Sequence, residues 1–424
     1  MLTPADALIV RRDPAVPGLA LVLDEEALGV RLREARPELD LVSARATYVR
    51  YKPGTSCLVG YRLLVEDMEV SAFAKAYRRG DAAKAAKFRG KGGAAAAALG
   101  DLVVLARVGG DHDLPGALAV EHPDRRRRLL HRLLPDLPDC WDTVPRCLRY
   151  KPERRWVGMV QHRGEPAALV KAYRRSDLAR ACAGLRFARG ISPDAPRLLG
   201  ASKRLAALAS SWVPGETLSD LLARPGAADG SLVAAGAALA ALHRAPGIER
   251  LPVAGDTDAR ALAAAAAHLE AVDPRLGATA TALATALAPR LGSGTSLRPA
   301  ARHGDFSPDQ LVVGPHGMAV VDFDNAEVGD PAADLGHFVA TLWAATLGRP
   351  PGPVVPSPES HAADFLGGYE AAGGRAAAGR VDDHTAAALV RLAVEPFRTR
   401  TPDWPVRTEA LLERASVLMA RTVR

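Results

Sequence analysis

The chain has 424 residues, 48% apolar and 24% charged, the composition of an ordinary folded protein, which excludes a disordered tail or a fibrous one. Its length predicts two or three domains. Lys and Arg number 55 against 48 Asp and Glu, a net charge of +7, divided as +13 over residues 1–215 and −6 over residues 216–424.

The opening Met1-Leu2-Thr3-Pro4-Ala5-Asp6 lacks the basic-then-apolar order of a signal peptide. No apolar stretch of about 18 residues is free of charges or breakers, so no membrane partner is expected. Cys57, Cys140, Cys147 and Cys182 form no CxxC pair and read as reduced thiols, which with the missing leader predicts a cytoplasmic protein.

The first predicted elements repeat themselves. Arg50-Tyr51-Lys52-Pro53 returns as Arg149-Tyr150-Lys151-Pro152, and Lys75-Ala76-Tyr77-Arg78-Arg79-x-Asp81 returns as Lys171-Ala172-Tyr173-Arg174-Arg175-x-Asp177. Alternating apolar and β-branched residues predict strands over Thr47–Lys52, Cys57–Val65 and Ser71–Tyr77, and again over Cys147–Lys151, Trp156–Gln161 and Ala167–Tyr173. Helices follow over Asp81–Phe88 and Asp177–Arg189, with Gly80-Asp81 and Ser176-Asp177 as N-cap signals. Between the copies, Arg125–Arg128 read as the solvated face of a helix. Tyr77, Tyr173, Trp343 and Trp404 read as packing residues.

Two further strands, Leu198–Leu199 and Leu205–Trp212, precede Val213-Pro214-Gly215-Glu216-Thr217-Leu218. The rest is mainly helical: Ser219–Ala223, Ser231–His243, Asp258–Val272, Ala278–Ala288, Asp334–Leu347, His361–Ala372, His384–Pro396 and Val406–Arg421. One β island, Gln310–Val313 and Met318–Phe323, interrupts it. A small antiparallel sheet joined to a helical lobe is a two-lobed α+β architecture.

The β island carries a dense acidic cluster. His303-Gly304-Asp305 and Gln310 precede its first strand, Asp322 and Asp324 close its second, and Gly329-Asp330-Pro331-x-x-Asp334-Leu335 follows. Alone, Asp322 and Asp324 read as turn residues. With the upstream Asp305 and Gln310 they form a set of hard oxygen donors suited to Mg²⁺. Phosphoryl transfer needs such charge neutralisation, a positioned hydroxyl and a lysine on the phosphates.

At these residues the chain resembles the aminoglycoside phosphotransferase and choline kinase family, small-molecule relatives of the protein kinases. Trp212–Leu218 resembles their interlobe hinge, and Leu242-His243-Arg244 the end of the first large-lobe helix. The resemblance, from about Cys147 onward, implies a two-lobed protein-kinase-like fold with ATP or GTP as donor and Mg²⁺ as cofactor. It implies Asp305 as the carboxylate that takes the substrate's hydroxyl proton. Gln310 and Asp322 would be metal ligands, with Asp324 a second ligand or a residue behind them. Lys171 would meet the phosphates, and backbone at Ser211, Trp212 and Val213 the base. Asp334 would brace the catalytic loop, which His303 supports. Gln310 stands where the family usually has Asn, a substitution resembling the maltokinase and glucosamine kinase branch. No Glu partner for Lys171 is visible in the following helix, Asp177 being the nearest carboxylate. The turn Pro152-Glu153-Arg154-Arg155 has no glycine, which assigns phosphate contacts to Arg154 or Arg155.

The expected domains are 1–140, an N-terminal cap lobe holding the first copy; 141–213, the nucleotide lobe and hinge; and 214–424, the helical catalytic lobe. Only the second copy leads directly into the hinge, which assigns the nucleotide to Lys171 and leaves Lys75 ion-paired or at the surface. The expected partner is a small hydroxylated molecule: an amino sugar, aminoglycoside, sugar or amino alcohol. The acidic large lobe favours a cationic one. The protein would be a monomer or homodimer. A nucleic-acid partner is excluded by the lack of interleaved aromatic and basic residues. The competing class is an inactive kinase-like binding protein, against which the intact Asp305 and Asp322 argue.

Overall fold

A computed structural model describes residues 2–192, 194–224, 230–255, 257–292, 299–347 and 357–421. The chain forms two units: Met1–Leu178 with Leu199–Ser211 and Phe397–Trp404, and Ala179–Leu198 with Trp212–Pro396 and Pro405–Arg424.

Unit 1 opens with α1 (Pro4–Arg12), α2 (Leu19–Leu23) and α3 (Glu25–Ala35), which the strand-based reading did not foresee. The first copy then forms β1 (Leu41–Lys52), β2 (Ser56–Val65), β3 (Met68–Tyr77), α4 (Ala82–Gly92), β4 (Ala96–Ala98) and β5 (Val103–Arg107). After α5 (Pro115–Glu121) and α6 (Pro123–Leu133) come β6 (Arg146–Lys151), β7 (Arg155–His162) and β8 (Glu165–Tyr173) and, past α7 (Leu178–Ala188), which belongs to unit 2 from Ala179 on, β9 (Leu198–Ser202) and β10 (Ala207–Ser211). The two sheets have the same strand order, β1-β2-β3-β5-β4 and β6-β7-β8-β10-β9. The sequence repeat is therefore a repeat of topology.

The repeat also begins earlier than its strands. Asp13-x-x-Val16-Pro17-Gly18 and Asp111-x-x-Leu114-Pro115-Gly116 are equivalent segments. Asp13 Oδ2 accepts from the Tyr51 hydroxyl and the Gly54 amide, each at 2.8 Å. Asp111 Oδ2 accepts from the Tyr150 hydroxyl and the Glu153 amide at the same 2.8 Å. A Cβ at Gly18 would come 2.2 Å from Val103, and one at Gly116 2.9 Å from Ala207, so each lead-in sits against its own sheet. Residues 108–140 accordingly share a core with the second sheet: Leu114, Leu130, Leu133 and Cys140 pack with Trp156, Val170 and Ala209. The boundary expected at 140/141 falls inside this cluster.

Some local expectations are corrected. Asp81 makes no side-chain cap bond to the helix it precedes; its carboxylate pairs with Arg78 and Lys84 instead. The four cysteines are free. Trp404 is buried against Phe397.

Unit 2 contains β11 (Glu216–Thr217), α8 (Leu218–Leu222), α9 (Ser231–His243), α10 (Thr257–Val272), α11 (Pro274–Gly292) and β12 (Ala300–Arg302). Then come β13 (Leu311–Gly314), β14 (Gly317–Val320), β15 (Glu327–Gly329), α12 (Ala332–Thr346), α13 (Pro358–Ala371) and α14 (Ala378–Leu392). Strands β11-β13-β14 form one sheet and β12-β15 another, and β13 pairs with β14 from Leu311↔Val320 to Gly314↔Gly317. Phe306, Phe323, Phe338, Phe365, Leu239 and Leu311 share one buried cluster beneath these strands. The strand expected to reach Phe323 stops at Val320. Asp322 has a left-handed φ of 63°, and Phe323–Asn325 turn back as a short 3-10 helix. Trp343 lies under the Arg414 guanidinium, 3.5 Å from the ring centroid, as a packed aromatic. Among the described residues no helix is long and apolar enough to cross a membrane.

Candidate active site

The loop after β12 is fixed before it does any chemistry. Arg302 is buried between Glu327 Oε1, at 2.9 and 2.5 Å, and Asp258, at 2.8 Å. Asp334, near the start of α12, then accepts from the next two backbone amides, His303 N at 2.6 Å and Gly304 N at 2.9 Å. Gly304 has φ +80°, and a Cβ there would lie 2.5 Å from the Asn325 carbonyl, so only glycine fits this turn. His243 Nε2 lies 3.3 Å from Asp334 Oδ2 and its Nδ1 is 2.9 Å from the Tyr369 hydroxyl. Burial works to raise the Asp334 carboxyl; its bond to His243, with the charges of His243, His303 and Arg302, overcomes burial and pushes it down to about 2. A fully buried carboxylate that stays ionised can clamp two amides. This is the brace that the resemblance implied for Asp334.

His303 supports the same loop. Its Nε2 pairs with the Val321 carbonyl at 2.9 Å, and its ring meets Phe306 and Phe323 edge-on. The carboxylate of Asp305 remains partly exposed. His337, one turn along α12 from Asp334, places Nε2 3.2 Å from Asp305 Oδ1. Burial alone would raise Asp305; the hydrogen bond and charge of His337, aided by His303, hold it below the usual carboxylate value. The charge of Asp322 opposes them.

Gln310 and Asp322 are drawn together by main-chain pairing. The Val321 amide donates to the Gln310 carbonyl at 2.9 Å, directly below Leu311↔Val320. The Gln310 side-chain amide donates to Asp309 at 3.0 Å, which commits its nitrogen and leaves Oε1 as the ligand-type atom. Main-chain pairing thus sets Gln310 and Asp322 at the same end of the hairpin, while no group of three or more His, Cys, Asp or Glu poised for a metal ion occurs among the described residues. Arg180 anchors the segment behind the hairpin through the Asn325 carbonyl, at 2.6 Å, and Glu327, at 3.1 Å. Asp330 accepts from Arg380 at 2.7 Å and the Ala332 amide at 2.9 Å, with His384 at 3.3 Å. These contacts outweigh its burial and hold it far below the ordinary carboxylate range.

The residues that the resemblance assigned to the nucleotide fall in both units, and each is described in its own. Lys171 is buried in unit 1 on β8, opposite Val157 of β7 and Leu208 of β10. Ser211 ends β10 opposite Ala168, and Trp212 and Val213 open the second segment of unit 2. Asp177, the nearest carboxylate to Lys171 in sequence, is exposed and accepts from the Ser176 hydroxyl at 2.6 Å. In the β6–β7 turn, Arg154 is exposed while Glu153 is buried. Glu153 pairs with Lys75 Nζ at 2.6 Å and with Arg50. Lys75 is thus an ion-paired lysine.

Sequence reasoning missed His337, Glu153, and the acceptors Asp13 and Asp111. The spacing Asp334-x-x-His337 put His337 on the face of α12 that carries the brace. The repeated Asp-x-x-(Val/Leu)-Pro-Gly segment marked Asp13 and Asp111.

The model of the phosphotransferase enzyme family matches residues 143–384, a span that includes Lys171, Asp305, Gln310, Asp322 and Asp334 and leaves out the first copy. No curated protein matches the chain. Among solved structures, choline kinase from Cryptosporidium parvum Iowa II is similar at 12% identity and a TM-score of 0.50, covering 70% of this chain and 96% of that one. A choline/ethanolamine kinase family protein from Mesorhizobium loti has 17% identity and a TM-score of 0.46, over 70% and 94% of the two chains. A thermostable mutant of aminoglycoside phosphotransferase APH(4)-Ia has 16% identity and a TM-score of 0.47, over 66% and 94%. At 12% identity the likeness to the choline kinase is one of fold alone.

Proposed function

The chain belongs to the phosphotransferase enzyme family, and on that premise we propose that it is a Mg²⁺-dependent kinase moving the γ-phosphoryl group of ATP or GTP to a hydroxyl of a small molecule. The observation that carries this reading is the clamped His303-Gly304-Asp305 turn: Asp334 fixes its backbone through the His303 and Gly304 amides, and His337 stands 3.2 Å from the Asp305 carboxylate.

Asp305 accepts a hydrogen bond from the acceptor hydroxyl and takes its proton as the oxygen–phosphorus bond forms. The bond to the β-phosphate oxygen breaks, and the nucleoside diphosphate leaves. Gln310, Asp322 and Asp324 would hold the cation, which would neutralise charge on the phosphates. Lys171 is the residue we assign to the phosphates, and backbone at Ser211, Trp212 and Val213 to the base. Gln310 in place of the family's Asn keeps the same donor and acceptor groups and supports placement near the maltokinase and glucosamine kinase branch. The −6 charge of residues 216–424 favours a cationic acceptor, an amino sugar, aminoglycoside or amino alcohol, over a neutral sugar. A cytoplasmic location follows from the nucleotide donor.

The test is nucleotide consumption over a panel of sugars, amino sugars, aminoglycosides and amino alcohols, with Mg²⁺ and with EDTA. Mg²⁺-dependent diphosphate release with one acceptor class supports the proposal. Nucleotide binding without turnover across the panel favours the inactive binding protein instead.

A further inference from the structure

The first copy has the strand order of the second and the same Lys-Ala-Tyr-Arg-Arg strand, yet its lysine is taken. Glu153, in the β6–β7 turn of the second copy, reaches Lys75 Nζ at 2.6 Å and also pairs with Arg50. All three side chains are largely buried, with 19%, 14% and 10% of Lys75, Arg50 and Glu153 exposed. The carboxylate therefore neutralises the two cations that the first copy offers here, Arg50 and Lys75.

Several contacts show that the whole turn is seated. Tyr150 packs edge-on to Phe73 at 6.2 Å, Lys151 Nζ lies 5.8 Å over the Tyr48 ring, and a Cβ at Gly60 would come 3.3 Å from Pro152. From its own copy the turn is held by Asp111, which accepts the Glu153 amide, and by Arg174, whose Nε donates to the Glu153 carbonyl at 2.5 Å. Position 153 has φ 57°; the equivalent position in the first copy is Gly54, φ 63°. Glycine adopts this conformation without strain and glutamate does not, so the second copy gives up glycine here in exchange for the carboxylate. The turn lies close to the nucleotide lysine: Arg155 pairs with Tyr173, and Val157 with Lys171.

We propose that the first copy takes no nucleotide and instead seats the second: Arg50 and Lys75 grip Glu153 and so fix the turn 152–154 beside the Lys171 strand, making Glu153 and Lys75 positioning residues for the nucleotide. The nucleotide part rests on the kinase reading above; the seating does not.

The test uses the full chain and the variants Lys75→Met, Lys75→Arg, Glu153→Gln and the milder Glu153→Asp. Hydrogen exchange over residues 150–157 and nucleotide KM and kcat are measured together. Lys75→Met and Glu153→Gln should speed exchange in that segment tenfold or more. They should raise nucleotide KM about three- to fivefold with kcat within twofold of the parent. Lys75→Arg, still a cation, should restore both. Glu153→Asp should fall between, which keeps the test open if Glu153→Gln does not fold. Calorimetry should find one nucleotide per chain. Unchanged exchange, unchanged KM in the presence of faster exchange, or two nucleotides per chain would overturn the proposal. Failure of the kinase reading looks different: the parent protein binds no nucleotide, while exchange at 150–157 still reports the seat.

Discussion

Nε2 of His337 lies 3.2 Å from a carboxylate oxygen of Asp305, so the group assigned to take the substrate's proton is itself held by a titratable partner. His337 is what outweighs burial at Asp305 and keeps that carboxyl low. Removing it should let the Asp305 pKa rise. The acid limb of the kcat/KM profile of His337→Ala should then move to higher pH, and His337→Gln, which keeps a donor, should move it less. A pH–rate profile of the three proteins checks this; coincident acid limbs would separate His337 from catalysis.

Asp305→Asn should leave nucleotide affinity nearly intact while turnover falls by about 10²–10⁴, the range for loss of a general base. Asp322→Ala should abolish Mg²⁺-dependent activity, and Gln310→Asn should keep part of it because the ligand atom is unchanged. Mg²⁺ titrations of turnover measure the second effect. A normal Mg²⁺ dependence in Asp322→Ala would move the cation elsewhere.

Asp334 is a stability prediction with a sign. Its carboxyl is pushed down to about 2 from a reference of 3.8. A lowered carboxyl contributes stability that is present above the unfolded pKa and is lost as pH falls through the folded one. The contribution, roughly 2 kcal/mol, should therefore disappear between about pH 4 and pH 2. Asp334→Ala strands the His303 and Gly304 amides and should cost about 2–4 kcal/mol at neutral pH. Urea unfolding from pH 7 to pH 2 reads both, and the variant's acid slope should be the shallower.

Asp111 carries the opposite sign. Burial pushes its carboxyl up to about 6, against the Glu153 amide and Tyr150 hydroxyl that favour the ion. Its ionisation penalises the fold as pH rises through about 4 to 6. Asp111→Asn, which keeps an acceptor oxygen, should match the parent below pH 4 and be more stable above pH 6, by up to about 3 kcal/mol. Asp111→Ala should be less stable at every pH, because a buried hydroxyl and amide lose their acceptor. Thermal melts across this range distinguish the three.

What the sequence disclosed was local. The Lys-Ala-Tyr-Arg-Arg strands, the His303-Gly304-Asp305 turn and the Asp330-Pro331-x-x-Asp334 segment each announce themselves within a few residues, because strand alternation and a loop–hairpin–helix order fix their neighbours. Helix boundaries followed only in part: Ser231–His243 is observed as read, but Ala278–Ala288 lies within the longer Pro274–Gly292 and His384–Pro396 is instead Ala378–Leu392. Asp322 was legible as a ligand candidate, but not its left-handed backbone, which the Phe323–Asn325 turn imposes. The pairing of Glu153 with Arg50 and Lys75 was illegible, since it joins residues 103 and 78 positions apart. Local pattern says only that Glu153 stands in a turn, where a charged residue is ordinarily solvated. Residues 108–140 were grouped with the first copy because the repeat was sought in its strands; the weaker Asp-x-x-(Val/Leu)-Pro-Gly match marks where the second copy begins.

The central claim is that one nucleotide lobe, the second copy, serves phosphoryl transfer. The most direct measurement is nucleotide-dependent turnover of Lys171→Met beside Lys75→Met, under the same acceptor and Mg²⁺ conditions. Loss of a phosphate contact should cost Lys171→Met several kcal/mol of transition-state stabilisation, on the order of a hundredfold or more in kcat/KM. Lys75→Met, which only loosens the seat of Glu153, should lose less than about tenfold, or about 1.4 kcal/mol. The reverse ranking would make the first copy the working nucleotide lobe and contradict the account.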